Sequence, residues 1–261
     1  MSKNAVVAAE GSKELSAVFI DDSMFDGNTG FENVSAKDLL IPRITILQRM
    51  SPQLEKGKPE FISGAEPGDF CDVGTGEVFK ELVIIPCFFA MQYLEWGSRS
   101  SGKGLVHNHG TDASCLKNCT PDEKRRMMLP NGNYIAETAT WYVLNLSANG
   151  RKSFLPLSST GLKASRRWLT LLTSERLKRP DGSEFCPPMF YRSWKVTSTN
   201  EQNAEGSWHG YKFSPADPIL ALDSSKSLLA EAKDFNKQAS EGLVQGDVSQ
   251  ERETHSTEVP F

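Results

Sequence analysis

Residues 81–96 form the segment that most constrains the fold of this chain. Aliphatic side chains follow one another from Leu82 to Ile85, and apolar or aromatic residues continue to Trp96. A strand that is apolar on both faces must be covered by other elements on both sides. The run therefore predicts the central strand of a sheet.

Other segments predict antiparallel strands beside this one. Residues 134–146 alternate in polarity, and Asn149-Gly150 is a dipeptide typical of a tight turn before a second strand that ends at Leu157. Further strands are predicted within 70–80, where the turn contains two glycines, at 191–199 and at 208–213.

Two helices complete the pattern. Residues 160–178 begin with N-cap candidates and place Leu162, Ser165, Trp168, Leu169 and Leu172 at helical spacing, and residues 218–238 form a second amphipathic segment. Several strands, one helix and then a two-stranded hairpin fit an OB-fold, whose helix lies between its third and fourth strands. We therefore predict a mainly β (α+β) fold: an OB-fold-like antiparallel barrel with one inserted helix, a C-terminal helix and disordered acidic tails. A mixed sheet of another topology would give a similar order of elements.

Charge is divided unevenly along the 261 residues. Residues 1–33 contain two basic and six acidic side chains, and residues 218–261 contain four and eight, so the middle is net +4 in a chain of formal net charge −4. Polar composition with little periodicity favours disorder at both ends. We predict a flexible acidic leader at 1–35, an OB-like core at 36–217 with a long polar insertion at 97–133, the amphipathic helix at 218–238 and a disordered tail at 239–261.

The chain has no run of the roughly 18 apolar residues that a membrane-spanning helix needs, and its first residues lack the pattern of a signal peptide. We therefore expect a cytoplasmic protein with no membrane partner. In a reducing compartment the five cysteines would be buried thiols or metal ligands rather than disulfides.

Basic and aromatic residues are interleaved between residues 151 and 213. Eleven cations stand against five acids there, and the aromatic side chains among them include Trp168, Tyr191, Trp194, Trp208, Tyr211 and Phe213. Proteins that bind single-stranded nucleic acid need both, because cations neutralise phosphates while aromatic faces stack on unpaired bases. One face of each strand must also build the core, so only some of the aromatics can stack on bases. The predicted nucleic-acid-binding residues are Lys163, Arg166, Arg167, Tyr191, Arg192, Trp194, Lys195, Trp208, Tyr211 and Lys212.

The insertion contains His107, His109, Cys115 and Cys119 within thirteen residues. Two imidazoles and two thiolates are a ligand set that tetrahedral zinc selects, and a bound metal would order a long polar loop. The alternative is a flexible loop with incidental His and Cys residues. We predict no required cofactor and a possible structural zinc ion at these four residues.

Catalytic patterns are weak throughout the chain. His107-Asn108-His109 spells the name of a nuclease motif, but the residues of that motif are dispersed in sequence. Residues 97–103 resemble a phosphate-binding loop, but Gly104 replaces the Ser or Thr that should follow its lysine. We therefore predict that the protein is not an enzyme. A metal-dependent nuclease is the less favoured alternative.

The chain ends in Ser-Thr-Glu-Val-Pro-Phe, an acidic segment closed by a proline and a terminal aromatic residue. This end resembles the acidic tip, ending Ile-Pro-Phe, of bacterial single-stranded-DNA-binding proteins. The segment 40–51 followed by Pro67-Gly68-Asp69 also resembles a phage protein group with that proposed role. The resemblance implies that the tip, residues Glu258, Val259, Pro260 and Phe261, recruits replication or recombination proteins.

These observations predict a sequence-independent single-stranded-DNA-binding protein, encoded by a phage or a mobile element, that acts in replication or recombination in the bacterial cytoplasm. Its length and its insertion depart from the housekeeping bacterial proteins, so the resemblance carries over no oligomeric state. The alternative from another class is a protein-interaction or virion-associated protein whose insertion is ordered by zinc.

Overall fold

The structure is a computed structural model that describes residues 40–98, 103–204, 206–222, 224–244 and 246. The predicted leader at 1–35 and the four residues of the predicted tip lie outside these ranges. In chain order the elements are β1 (Ile44–Ile46), β2 (Phe70–Asp72), β3 (Val78–Phe79), β4 (Leu82–Trp96), β5 (Leu105–Asn108), β6 (Thr120–Pro121), β7 (Met127–Met128), β8 (Tyr134–Asn145), β9 (Arg151–Ser158), α1 (Gly161–Ser174), β10 (Leu177–Lys178), β11 (Glu184–Phe185), β12 (Arg192–Asn203), β13 (Gly206–Pro218) and α2 (Ser225–Ser240).

The main sheet is antiparallel and curls into a half-barrel around β4. β4 pairs with β8 along nearly its whole length, and its other edge pairs with β12 at its start and with β5 at its end. The strand order across the centre is β9-β8-β4-β12-β13. The prediction of a central strand in residues 81–96 is confirmed, because β4 has neighbours on both edges and a helix over each face.

The segment that contains β1 joins the two edges of this curled sheet. Phe154 on β9 donates its backbone N–H to the carbonyl of Pro42 at 2.9 Å, and Ile46 donates its N–H to the hydroxyl of Tyr211 on β13 at 3.0 Å. β1 also pairs with β2, which pairs with β3 in a separate three-stranded sheet. The chain around β1 therefore spans the gap that the half-barrel leaves open.

One helix covers each face of the main sheet. α1 buries Ser165, Trp168 and Leu172 at helical spacing against β8, β9 and β13, and α2 buries Ala232 and Phe235 against β4 and β8. The sheet therefore has a hydrophobic core on each face. Alternate residues of β8 enter different cores: Ala139, Trp141 and Val143 lie on the α1 side, and Tyr142 and Leu144 lie on the α2 side.

The inserted helix is shorter than the sequence predicts. It ends at Ser174 rather than near Lys178, and Glu175 has extended backbone angles. The guanidinium of Arg176 donates to the carbonyl of Thr173 at 2.7 Å, which is an acceptor that a further helical turn would have used. The chain then enters the small hairpin formed by β10 and β11.

The long insertion is not a structureless loop where it is described. β5 pairs with the end of β4, while β7 pairs with the start of β8 and with β6. These short strands extend the sheet at the end where β4 and β8 would otherwise finish alone. No helix within the described residues combines the length and the apolar character needed to cross a bilayer.

Candidate nucleic-acid interface

Four of the aromatic side chains between 151 and 213 pack against one another, and Trp141 from β8 joins them. The Trp168 ring lies between Trp141, with ring centroids 4.1 Å apart, and Phe213, also at 4.1 Å and with the rings 7° from parallel. Trp194 meets Trp168 edge-on at 5.9 Å, and Tyr211 lies nearly parallel to Phe213 at 6.3 Å. Such pairs stabilise a core beyond their buried area. This aromatic column fixes α1 to the sheet.

Two of the predicted base-stacking residues therefore belong to the core. Trp194 is 2% exposed and Tyr211 is 9% exposed, and the hydroxyl of Tyr211 already accepts the N–H of Ile46. Their side chains point from β12 and β13 toward α1, on the face that has to be covered. Neither ring is available to stack on a base, which corrects the prediction for both residues.

The opposite face of the β12–β13 hairpin has a different composition. The register places Thr197 opposite Lys212 and Glu201 opposite Trp208. Because side chains alternate along a strand, Lys195, Lys212 and Trp208 share the outer face, and Trp194 and Tyr211 share the inner one. Lys212 is exposed, and Trp208 is half-buried.

α1 contributes three of the predicted cations. Lys163, Arg166 and Arg167 are all exposed, and no acidic residue occurs between Gly161 and Ser174. Arg166 approaches Glu137 only loosely, at 3.6 Å, while Lys163 and Arg167 form no ion pair with any described residue. The outer face of α1 is therefore a positively charged surface with little internal compensation.

Two other predicted cations, Arg192 and Lys195, are held by acids. Arg192 pairs with Glu175 at 3.3 Å, and Lys195 pairs with Glu81 at 2.7 Å. The half-buried Tyr191 ring lies 5.9 Å from the guanidinium carbon of Arg192. These contacts link β12 to its neighbours, so Arg192 and Lys195 offer less charge to a ligand than the α1 cations do.

A surface groove of about 230 Å³ lies beside Trp208. Arg49 and Met50 come from the loop after β1, and Asn200, Ser207 and Trp208 come from the end of the β12–β13 hairpin. Met50 is 59% exposed, and Arg49 is exposed and forms no ion pair with any described residue. Of the residues that line the groove, sequence reasoning identified only Trp208, because the two walls are about 150 residues apart in the chain.

Two contacts fix the walls of the groove relative to each other. The side-chain amide of Gln48 donates to the carbonyl of His209 and accepts its N–H, each at 2.9 Å, and so takes the place of a paired strand at the edge of β13. Gly68 lies directly against His209, because a Cβ on Gly68 would be 2.7 Å from the Nδ1 atom of that ring. The groove is therefore formed before any ligand binds.

The four predicted zinc ligands make other contacts in this structure. His109 Nε2 lies 3.0 Å from Glu95 Oε2, and its ring meets His107 edge-on at 4.6 Å. The thiols of Cys115 and Cys119 point at backbone carbonyls, and burial raises the pKa of both. Among the described residues, which include all four predicted ligands, no three His, Cys, Asp or Glu side chains are arranged to hold a metal ion.

Glu95 holds this part of the insertion together instead. The amide of Asn133 donates to Glu95 Oε1 at 2.5 Å, and Asn131 donates to the same oxygen at 3.4 Å. The Asn133 hydrogen bond is the main reason why the pKa of Glu95 lies below its usual value, with His109 and then Asn131 adding to it. This set of contacts is a structural anchor at the end of β4.

Residues 9–245 match the family model described as Pam3 phage gp34-like protein. The chain belongs to the Pam3 phage gp34-like family. This membership supports the phage origin predicted from the sequence. Neither the curated proteins nor the solved structures contain a match to this chain.

Proposed function

We propose that this gp34-like protein binds single-stranded DNA without sequence preference and coats it during phage replication or recombination. The observation that carries the proposal is the outer face of α1, where Lys163, Arg166 and Arg167 are exposed on a helix with no acidic residue. The three cations lie within two helical turns, and none is tightly paired with a described acid, so they can contact the phosphates of one strand. Each phosphate that they neutralise releases counterions, which favours binding.

The connectivity of the half-barrel supports a finer assignment, an OB-like barrel. The five longest strands of the sheet occur in the chain order β4, β8, β9, β12 and β13, with α1 between the third and the fourth and the short strands β5–β7 and β10–β11 between them. An OB-fold has its helix at this point, and it binds oligonucleotides with its loops, among them the loop between its fourth and fifth strands. In this chain that loop is the β12–β13 turn, beside the groove that contains Trp208.

The proposed mechanism is binding alone, with no chemical step. Phosphates would lie along the α1 cations, and unpaired bases would find aromatic or sulfur-containing surface at the hairpin tip. A duplex keeps its bases stacked inside, so it would gain the phosphate contacts without the base contacts. Single-strand binding should therefore exceed duplex binding, and it should weaken steeply with salt.

The proposal is tested by fluorescence anisotropy with labelled oligo-dT over a salt series, using unlabelled duplex as competitor. The variant replaces all three α1 cations with glutamine (Lys163→Gln, Arg166→Gln and Arg167→Gln). We expect the affinity at about 0.1 M salt to fall roughly tenfold or more, and the slope of log K against log salt to fall by about 2, since each single-strand phosphate contact contributes about 0.7.

α2 supplies a matched control. It also carries three exposed lysines, Lys226, Lys233 and Lys237, but alternates them with acids. Replacing those three with glutamine changes the net charge by the same amount and should leave the salt slope near that of the wild type. Equal losses in the two triple variants would show a net-charge effect and contradict the α1 site. A wild-type protein that fails to bind oligo-dT at low salt would end the proposal.

The C-terminal tip is the second part of the proposal. Glu258, Val259, Pro260 and Phe261 would recruit replication or recombination proteins, and the acidic tail would compete with DNA for the basic surface. Deleting Pro260 and Phe261 should leave oligo-dT affinity unchanged or raised and should abolish capture of such proteins from phage-infected cells. Normal capture by the truncated protein would contradict the role of the tip.

A further inference from the structure

We propose that the groove beside Trp208 is a subsite for one unpaired nucleobase and its phosphate. The inference rests on the proposed function and deepens it, because it names the part of the strand that this groove would take. Four features of the groove carry it: its size, its preformed walls, its aromatic and thioether surface, and its single uncompensated cation.

The size and the rigidity of the groove suit a planar group. Its volume is about 230 Å³, which is enough for a base and too small for a drug-sized ligand. The double hydrogen bond from Gln48 to the backbone of His209, together with the hydrogen bond at 2.8 Å from the N–H of Gln48 to the hydroxyl of Ser51, fixes the loop against the hairpin. A preformed site loses little conformational freedom when it binds.

The surface chemistry of the walls suits the face of a base. The half-buried indole of Trp208 and the exposed thioether of Met50 offer polarizable surface for stacking. The buried Nε1–H of Trp208 has no acceptor among the described residues, as in the core residues Trp168 and Trp194, but Trp208 alone of these three lines the groove.

The charge of the groove favours a nucleotide over a neutral aromatic ligand. Arg49 lines the groove with an exposed guanidinium that no described acid neutralises. The nearest acid in the hairpin register is Glu201, opposite Trp208, but its carboxylate covers Gly210, where an added Cβ would touch it. Arg49 is therefore free to contact the phosphate of a base that stacks in the groove.

The tryptophans give this proposal a direct optical test. The chain has five of them, and Trp96, Trp141, Trp168 and Trp194 are each at most 2% exposed. A base that stacks in the groove can therefore quench only Trp208. We expect oligo-dT to quench a saturable fraction of the intrinsic emission of the full chain, with the same Kd that anisotropy gives. An abasic oligomer of equal length should bind more weakly and quench little.

Three variants separate stacking from charge. Trp208→Ala should weaken oligo-dT binding about 5- to 150-fold, the range that corresponds to about 1–3 kcal/mol per stacked base at 1.4 kcal/mol for each tenfold change. Trp208→Phe keeps an aromatic ring, so it should abolish the quenching and lose much less affinity. Arg49→Gln should keep the quenching and lower the salt slope by about 0.7, whereas the control Lys233→Gln on α2 should change neither quantity.

The outcomes distinguish this subsite from the wider proposal. If the wild type binds oligo-dT by anisotropy but its emission does not change, and Trp208→Ala has the wild-type Kd, the subsite is wrong and strand binding through α1 stands. Equal quenching by abasic oligomer or by duplex would also overturn the subsite. Absence of any oligo-dT binding at low salt would remove the proposed function itself.

Discussion

The two faces of the β12–β13 hairpin make different use of the same kinds of residue. On the inner face, Trp194 and Tyr211 are buried against α1, in contact with the stacked rings of Trp168 and Phe213. On the outer face, Trp208 is half-buried beside a groove and Lys212 is exposed. Aromatic content alone therefore says little about base stacking, because the pleat of the strand decides which rings a ligand could reach.

The largest effect that this comparison predicts is on stability. Trp168→Ala removes the middle ring of the aromatic column and should lower the free energy of unfolding by about 3–5 kcal/mol. Trp208→Ala removes a half-buried ring at the sheet edge and should cost less than about 1 kcal/mol. Urea unfolding of the two variants measures both values. Similar losses in the two would contradict the division between a structural and a ligand-facing tryptophan.

A glycine beside the groove provides the next test. Gly68 and Gly64 both have positive φ, at 94° and 84°, but only Gly68 faces another side chain, the ring of His209. Gly64→Ala should cost only the backbone strain of about 1–3 kcal/mol, whereas Gly68→Ala should cost about 1–3 kcal/mol more because His209 has to move. Since His209 lines the groove, only Gly68→Ala should also weaken oligo-dT binding. Equal costs by urea unfolding would show that this contact does not constrain the groove.

The clamp between the loop and the hairpin predicts a smaller effect. Gln48→Ala removes two hydrogen bonds to the backbone of His209 and should lower the free energy of unfolding by about 1–3 kcal/mol. Gln202→Ala changes an exposed glutamine on the same hairpin and should be nearly neutral. Hydrogen exchange at His209 should accelerate in the first variant only. Unchanged exchange in Gln48→Ala would mean that the walls of the groove are fixed by other contacts.

The smallest predicted effect concerns pH and lies outside the hairpin. The folded-state pKa of Glu95 is lowered, first by Asn133 and then by His109 and Asn131. A lowered pKa means that this carboxylate adds stability above its unfolded pKa of about 4.3 and loses it as the pH falls through the folded value. The stability difference between wild type and Glu95→Gln should therefore shrink between about pH 6 and pH 3 in urea unfolding. A constant difference would indicate that the charge of Glu95 contributes nothing.

Local patterns in the sequence were sufficient for the elements and for most of their faces. The alternation in β8 and the turn at Asn149-Gly150 predict the β8–β9 hairpin, and the spacing of Ser165, Trp168 and Leu172 predicts the buried side of α1. The same alternation predicts that Trp208 and Tyr211 point to opposite faces. It does not say which face is covered, because that depends on where α1 packs.

Features built from distant segments could not be predicted. Gln48 and His209 are 161 residues apart, and nothing near either residue indicates that a side-chain amide will pair with a strand edge. The chain around β1 closes the half-barrel through contacts that are also between distant segments, so this feature could not be predicted either. The end of α1 differs from the prediction for a local reason, since the side chain of Arg176 takes the carbonyl of Thr173, which the N–H of Leu177 would use in a longer helix.

Photocrosslinking tests the central claim most directly, because it reports which face of the hairpin touches DNA. An oligo-dT strand that carries 5-iododeoxyuridine would be bound to the full chain at low salt and irradiated, and the adducts would be mapped to peptides. We expect adducts at Trp208 and its neighbours, and none at Trp194 or Tyr211. Adducts at either of those buried rings, or adducts confined to peptides outside α1 and the hairpin tip, would contradict it.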